Sequence, residues 1–246
     1  MILLTGATGL AGSFIANEFV RAREPVRILV RDRAKAAALG KAPTVEITEA
    51  DMSGRDSLTA ALDGVERVLM ISGSRMDMVE TQCTFIDACR AAGVRHVIKF
   101  SGLDARWDTT FPFGLMHKQI EQHLEKSGIA WTHLRPTGFM QEYLREAPSI
   151  IRENALYLAL GDVRLNPVDL LDVGKVGFLL LRRWTRGCAA AVDRAGSADR
   201  GGGRRPHFAR NRKVGAVRRR ISDPAPAGAN RARYPAGDGR CVGQAS

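Results

Sequence analysis

Three glycines near the start of the chain are spaced for binding a phosphate group. They stand three residues apart, directly after the apolar residues 2–4, and a helical pattern of apolar residues follows them. A strand, a glycine turn and a helix in this order bring free backbone N–H groups and the positive end of the helix dipole against a pyrophosphate. The alternative is an ordinary glycine-rich turn. We predict a dinucleotide site with the contacts Gly6, Thr8, Gly9, Leu10 and Gly12.

The residues after the second apolar run, 26–30, indicate which dinucleotide binds. In a dinucleotide-binding fold this position faces the adenosine ribose, where a carboxylate favours NAD and an arginine favours NADP. Arg31 stands there, with Arg33 nearby to assist, and a guanidinium binds a phosphate with two hydrogen bonds. Asp32 keeps NAD open, and all three charges are also typical of a solvated surface after a strand. The sequence therefore favours NADP(H) over NAD(H).

Further candidate cofactor contacts stand at the ends of later apolar runs. Ser72 and Gly73 follow the fourth run and are expected beside the pyrophosphate and the nicotinamide ribose. Lys99, in the fifth run, and Pro136, after the sixth, are assigned to the same crevice. For Lys99 the alternative is a solvated lysine near a strand end.

The elements that must position these residues alternate along the first three quarters of the chain. Six short apolar runs at residues 2–4, 26–30, 44–47, 67–71, 96–100 and 131–134 read as strands, with helical spacing between them. Such alternation predicts an α/β fold, a doubly wound parallel sheet of Rossmann type with helices on both faces. The ligand crevice of this fold lies beyond the carboxyl ends of the strands.

The last quarter of the chain has a different composition. The net charge is +11, yet residues 182–246 hold 16 Lys and Arg against four Asp and no Glu, whereas residues 1–181 hold 21 basic and 22 acidic residues. Residues 182–246 also lack Leu and Met and show no sustained period, so they cannot bury enough apolar area to fold alone. We predict an NAD(P)-binding domain over 1–181 and an irregular segment over 182–246.

Three interpretations of residues 182–246 remain open. The segment is a disordered basic tail, an arginine-rich arm that binds RNA, or the product of a frameshift in a GC-rich gene. We favour the frameshift, because a nucleic-acid arm usually mixes Lys with Arg and this segment has one Lys, Lys213. Nucleic-acid binding is therefore not expected, except through this arginine-rich segment.

Other sequence features bear on compartment and metal binding. The longest apolar runs are far shorter than the roughly 18 residues of a membrane span. The start of the chain is a strand with no basic region ahead of it, unlike a signal peptide. The four cysteines form no CxxC pair and no zinc spacing. We expect a cytoplasmic protein without a metal or a membrane contact.

Several motifs resemble a known family. The segment Thr-Gly-Ala-Thr-Gly-Leu-Ala-Gly at residues 5–12 resembles the start of atypical short-chain dehydrogenase/reductases. His-Lys-Gln-Ile-Glu at 117–121, Ser-Gly-Ile-Ala-Trp-Thr at 127–132 and Leu-Arg-Pro-Thr-Gly-Phe-Met at 134–140 resemble the NmrA-like group. The resemblance extends from residue 1 to about 181. It implies an NAD(P)H:quinone oxidoreductase or azoreductase-like protein, or a redox-sensing regulator that binds the cofactor without turnover.

The resemblance also implies roles for individual residues. Asp51 and Met52 match the adenine-edge contact of the group, although Asp51 is also typical of a helix cap. Ser101 stands where the superfamily has its catalytic serine, and the positions of the catalytic tyrosine and lysine are occupied by Phe113 and His117. Because a phenylalanine has no proton to give, tyrosine-dependent ketone chemistry is not expected. Ser101 and His117 remain the candidate catalytic groups.

These observations together favour one function and leave a second open. We expect an NAD(P)H-dependent oxidoreductase whose small-molecule acceptor is quinone-like or an azo compound, since hydride transfer to such acceptors needs mainly alignment. Phe139 and Met140 follow the sixth run and either stack on a flat acceptor or pack in the core. The alternative function is a non-catalytic NADP-binding redox sensor that acts through a protein partner. The sequence gives no oligomeric state.

Overall fold

Seven strands form one parallel sheet in the computed structural model, which describes residues 1–106, 110–154, 166–183 and 188–192. They are β1 Ile2–Thr5, β2 Val26–Val30, β3 Val45–Glu49, β4 Arg67–Met70, β5 His96–Phe100, β6 Ala130–Pro136 and β7 Cys188–Val192. Their order in the sheet is β3-β2-β1-β4-β5-β6-β7. The six predicted strands are all present, with bounds within two residues of those predicted, and the Rossmann-type fold class is confirmed.

The central strands are apolar because helices cover both of their faces. The helices are α1 Leu10–Ala22, α2 Arg55–Leu62, α3 Met78–Ala91, α4 Pro112–Lys126, α5 Ala147–Glu153 and α6 Leu170–Arg182. Leu58, Phe85 and Ile120 of α2, α3 and α4 are fully buried in one core cluster, with Val68 and Val97 of the sheet. A second cluster on the opposite face joins α1 and α6 to alternate residues of the same strands.

The contact between α1 and α6 is unusually close. The rings of Phe19 and Phe178 meet edge to face, with 4.9 Å between their centroids. Two glycines of α6 permit this approach: a Cβ added at Gly174 would lie 3.0 Å from the carbonyl oxygen of Phe14, and one at Gly177 would lie 2.9 Å from Ile15 Cδ1. The close packing fixes the helix that begins at the glycine turn against the sheet.

The connection between strands reverses direction beside β1. The chain passes from β1 to β2 and β3 on one side and then crosses to β4 on the other, with Leu4 paired to both Ile28 and Leu69. In doubly wound sheets a ligand crevice opens at the carboxyl ends of the strands at this reversal. The glycine turn after β1 and the loop after β4 border it.

The seventh strand was not predicted. It lies beyond the expected domain boundary at residue 181 and pairs with β6 from Cys188 to Val192, so the sheet continues past that boundary. The remainder of the predicted irregular segment, from residue 193 to the end, lies outside the described residues, and so do residues 184–187. In the described part of the chain no helix combines the length and the apolar character needed to cross a membrane.

Candidate cofactor and active site

The glycine turn at residues 6–12, which we call the glycine cradle, leaves no room for a side chain at Gly6 or Gly12. Gly6 has a φ of +64°, a conformation that strains other residues, and a Cβ there would lie 2.9 Å from Cβ of Ile71. A Cβ at Gly12 would lie 2.1 Å from the carbonyl oxygen of Gly6 and 2.7 Å from its carbonyl carbon. Any side chain at Gly12 would therefore displace the backbone of Gly6.

The first turn of α1 leaves its backbone donors free for a ligand. Gly9 is the N-cap and supplies no side-chain hydrogen bond, so the N–H groups of residues 10–12 lack the cap that a serine or aspartate would give. Thr8, Gly9 and Leu10 are exposed at this end of the helix. Free N–H groups, a helix dipole and no competing side chain form a fitting site for the pyrophosphate of a dinucleotide.

The loop after β4 is tied to the glycine cradle. The Thr5 hydroxyl donates to the carbonyl oxygen of Ile71 at 2.6 Å and accepts from the Ile71 backbone N–H at 2.8 Å. Ser72 comes next, and its hydroxyl accepts a hydrogen bond from the buried amide of Gln82 at 2.7 Å. Gly73 is exposed beside it. The two loops predicted to contact the cofactor thus border one crevice.

The three charged residues after β2 have different partners. Asp32 caps the short helix Arg33–Ala36 by accepting from the backbone N–H of Ala34 at 2.9 Å. The Arg33 guanidinium donates to the carbonyl oxygen of Ile47 at 2.7 Å. Arg31 is exposed and makes no hydrogen bond to any residue that the structure describes. Arg31 is therefore the member of this group whose guanidinium is free for a ligand.

Asp51 lies near Arg31 and is already engaged by its own loop. One carboxylate oxygen accepts from the Ser53 hydroxyl at 2.6 Å and from the Ser53 backbone N–H at 2.8 Å. These two hydrogen bonds, with the charge of Arg31, hold the pKa of Asp51 below its ordinary value despite partial burial. Met52 is buried in the core cluster beneath α2. Asp51 does not cap α2, whose N-cap is Gly54 without a side-chain hydrogen bond, and its carboxylate instead orders the loop before the helix. The adenine contact stays a prediction.

A buried group of charged side chains lies beneath α4, at the ends of β5 and β6. Lys99 has no exposed surface, and its Nζ lies 2.9 Å from Nδ1 of His117 and 3.1 Å from the carbonyl oxygen of Phe100. Glu121, one turn further along α4, accepts two hydrogen bonds from the Arg135 guanidinium, at 2.9 and 2.6 Å. Lys99 is therefore buried, and the alternative of a solvated lysine is wrong. Its ammonium lies beneath α4, next to His117.

Burial and mutual repulsion set the protonation of this group. Burial lowers the pKa of Lys99 to about 7, although the Glu121 carboxylate opposes the shift. Burial and the Lys99 charge together lower the pKa of His117 to about 3. Burial alone would raise the pKa of Glu121, but the hydrogen bonds from Arg135, the charges of His133 and Arg135 and the nearby Ser101 hydroxyl together outweigh it and leave that pKa below its ordinary value. Near neutral pH, His117 is a neutral imidazole and Glu121 is a carboxylate.

The other candidate catalytic positions lie close to this group. Ser101 follows β5 and is buried, with a hydroxyl that meets no hydrogen-bond partner in the described chain yet lies near enough to lower the pKa of Glu121. Phe113 packs against Phe111, with 5.8 Å between ring centroids, and has no hydroxyl. The contact between Lys99 and His117 was missed because its partners are 18 residues apart on different elements.

The residues after β6 close the far end of the crevice. Pro136 is buried at the end of β6. Phe139 is partly buried, with its ring centroid 6.3 Å from that of Phe100, and it packs on the small core cluster that contains Val168. The backbone N–H of Met140 donates to the carbonyl oxygen of Val168 at 2.9 Å. Phe139 therefore makes core contacts, one of the two roles considered for it, and part of the residue stays accessible to solvent.

Comparison with known proteins agrees with this geometry. A family model described as NAD(P)H-binding matches residues 6–156. The chain is 33% identical over 183 residues to the NAD(P)H azoreductase of Xenophilus azovorans, covering 74% of this chain and 64% of that protein. It is 35% identical over 177 residues to quinone oxidoreductase 2 of Escherichia coli (strain K12), covering 70% of this chain and 60% of that one. The chain thus spans less than two thirds of the length of either relative.

A solved structure shows the same architecture. The crystal structure of the NADPH-dependent quinone oxidoreductase QOR2 of Escherichia coli, complexed with NADPH, superposes with a TM-score of 0.72 at 29% identity, covering 78% of this chain and 69% of that one. NAD(P)H binding, predicted from the glycine spacing, is confirmed by the family match. The chain belongs to the NAD(P)H-binding family, within the NmrA-like group of atypical short-chain dehydrogenase/reductases.

Proposed function

We propose that the chain is an NADPH-dependent oxidoreductase that reduces quinone-like or azo acceptors. The observation that carries the proposal is the glycine cradle, where the N–H groups at the start of α1 have no side-chain cap and the backbone leaves no room for a Cβ at Gly6 or Gly12. The names of two relatives, NAD(P)H azoreductase and quinone oxidoreductase 2, support quinone-like or azo acceptors.

The preference for NADP(H) rests on the partners of the charged residues after β2. Asp32, the residue that would favour NAD, has its carboxylate engaged as a helix cap. Arg33 donates to a backbone carbonyl of β3. Arg31 is exposed and close to Asp51, and its guanidinium remains available for a 2′-phosphate. The loss of the Arg31 guanidinium would therefore weaken NADPH binding more than NADH binding.

The chain's own residues bind and orient, and the dinucleotide supplies the hydride when bound. The glycine cradle holds the pyrophosphate, and Ser72, Gly73 and Pro136 border the path toward the nicotinamide end. Phe139 and Met140 form one wall for a flat acceptor. Phe113 offers no acidic hydroxyl, so any proton that the acceptor needs comes from another side chain, and His117 is the candidate.

The test measures NADPH oxidation by the full chain with menadione and with an azo dye, beside the affinities for NADPH and NADH. We expect turnover with at least one acceptor and tighter binding of NADPH. Arg31→Ala should weaken NADPH binding at least about tenfold, as expected for one charge-assisted hydrogen bond to a phosphate, and leave NADH binding unchanged. Arg33→Ala is the matched control. Equal losses for both dinucleotides in Arg31→Ala would refute the preference.

A second candidate function is an NADP-binding redox sensor. It is favoured by Phe113 at the tyrosine position and by exposed apolar side chains near the crevice, among them Phe111, Leu115 and Leu144. A sensor would bind NADPH tightly and show no turnover with any acceptor in the panel. Measured turnover would exclude it as the sole function.

A further inference from the structure

The contact between Lys99 and His117 determines which ring nitrogen of the histidine carries the proton. The Lys99 ammonium lies 2.9 Å from Nδ1 and 3.1 Å from the carbonyl oxygen of Phe100. An ammonium donates hydrogen bonds and accepts none. Nδ1 of the neutral ring is therefore the acceptor, and the single ring proton is on Nε2.

The remaining nitrogen of His117 lies on the side of the ring next to Gly102. A Cβ added at Gly102, two residues beyond the end of β5, would lie 3.3 Å from His117 Cδ2, the carbon bonded to Nε2. Nε2 has no hydrogen-bond partner among the described residues. It is also not fully buried. The ring is only partly buried. Its Nε2–H is thus accessible beside the residues that follow β5, at the carboxyl edge of the sheet where the proposed acceptor would bind.

We propose that Lys99 is a positioning residue that holds His117 as the Nε2–H tautomer, so that His117 donates this proton to the acceptor. The proposal rests on the proposed oxidoreductase function. Once reduced by two electrons, the acceptor is an anion, and its oxygen or nitrogen bonds the proton that leaves Nε2. Nδ1 takes a proton from the Lys99 ammonium, which becomes a neutral amine. The imidazole is neutral before and after, and no electron moves in this relay.

The surroundings of Lys99 suit a proton source that works near neutral pH. The charged and titratable groups that act on it come from four elements: Cys83 of α3, Asp104 after β5, Glu121 of α4 and Arg135 of β6. Burial is the largest influence and lowers the pKa, Arg135 lowers it further, and the carboxylates and Cys83 raise it, with a result of about 7. Lys99 is therefore an ammonium below neutral pH and loses its proton readily.

The first test reads the tautomer and needs no catalysis. The full chain is labelled with ¹⁵N-histidine, and His117→Gln assigns the His117 signals among the five histidines. We expect an Nε2–H ring that does not titrate near its ordinary pKa of about 6.5. Lys99→Gln, which still donates a hydrogen bond, keeps this pattern, and Lys99→Met loses it. Lys126→Met, an exposed lysine of α4, is the control. An Nδ1–H ring in the wild type, or an unchanged spectrum in Lys99→Met, overturns the proposal.

The second test measures proton delivery to the acceptor, using the NADPH-dependent reduction of menadione. His117→Gln preserves the hydrogen bonds but transfers no proton, so kcat should fall roughly 100-fold, as for the loss of a general acid. Wild-type kcat should fall as the pH rises through about 7, where Lys99 loses its proton, and Lys99→Gln should lack this decline. Full activity in Lys99→Gln would overturn the relay. A wild type without turnover would refute the proposed function, while the tautomer measurement still decides the role of Lys99.

Discussion

Replacing Gly12 by alanine tests the glycine cradle directly, because the added atom meets backbone. The new Cβ would lie 2.1 Å from the carbonyl oxygen of Gly6 and 3.1 Å from the Cα of Ala7. Heavy atoms in contact prefer a separation of roughly 3.5 Å, so the Gly6 backbone must move by about 1.4 Å. No rotamer change relieves the clash, since neither contact is a side chain. The turn that orients the N–H groups of α1 is therefore distorted.

The distortion translates into a measurable loss of affinity. A hydrogen bond from a backbone N–H to a charged phosphate contributes about 1.5–3 kcal/mol. Losing the alignment of one such bond weakens NADPH binding roughly 10- to 150-fold. Overpacking in a close contact also costs about 1–3 kcal/mol of stability, so we expect a lower urea midpoint as well.

The assay is the dissociation constant for NADPH, measured by nucleotide fluorescence, beside urea unfolding of the same samples. Gly9→Ala is a graded comparison, because its Cβ would lie 3.2 Å from the same Gly6 oxygen and needs a smaller shift. Gly138→Ala is the matched control, because nothing lies within 4 Å of an added Cβ. Affinity in Gly12→Ala within about twofold of the wild type would refute the assignment of this turn to the pyrophosphate.

Three further predictions concern the packing and the buried charges. Gly174→Ala should lower the free energy of unfolding by about 1–3 kcal/mol, because its Cβ meets the Phe14 backbone. Gly177→Ala should lower it by less, because its Cβ meets the movable Ile15 side chain. The reverse order in urea titrations would contradict this. Arg135→Met should cost about 3–5 kcal/mol, since it leaves the Glu121 carboxylate buried without its partner, and a loss below 1 kcal/mol would argue against a buried pair. The free energy of unfolding of the wild type, relative to that of Lys99→Met, should rise by about 1.4 kcal/mol per pH unit above pH 7. The reason is that the unfolded lysine, which titrates near 10.5, still holds a proton that the folded one has lost. A pH-independent difference in unfolding titrations would exclude a depressed Lys99 pKa.

The part of the site formed by neighbouring residues could be predicted from sequence. Gly6, Gly9 and Gly12 lie within one turn and one helix start, so their spacing alone implies the backbone geometry that the structure has. The alternation of apolar runs was equally informative, because buried parallel strands carry continuous apolar sequence. The strand β7 was missed, since Cys188–Val192 is a short run with three alanines in an arginine-rich stretch.

The part formed by distant residues could not be predicted from spacing. Lys99 is one residue from the end of a buried strand, and its direction depends on the face that α4 covers. His117 had no visible partner in the sequence because that partner lies on β5, 18 residues earlier. Asp51 and Asp32 are a different case, because their carboxylates bind backbone N–H groups only two residues away, and only the loop geometry reveals this.

The pairing of Glu121 with Arg135 explains why Lys99 uses a histidine as its partner. Both oxygens of the buried carboxylate accept from the guanidinium, so Glu121 acts on Lys99 through its charge and not through a hydrogen bond. Burying an ammonium is costly, and burial lowers the pKa of Lys99 even though the charges of Glu121 and Asp104 oppose the shift. The acceptors that remain are the Phe100 carbonyl and the lone pair of His117 Nδ1. Burial thereby keeps the Lys99 proton weakly held, and the ion pair between α4 and β6 leaves that proton directed at His117, the condition that a proton relay requires.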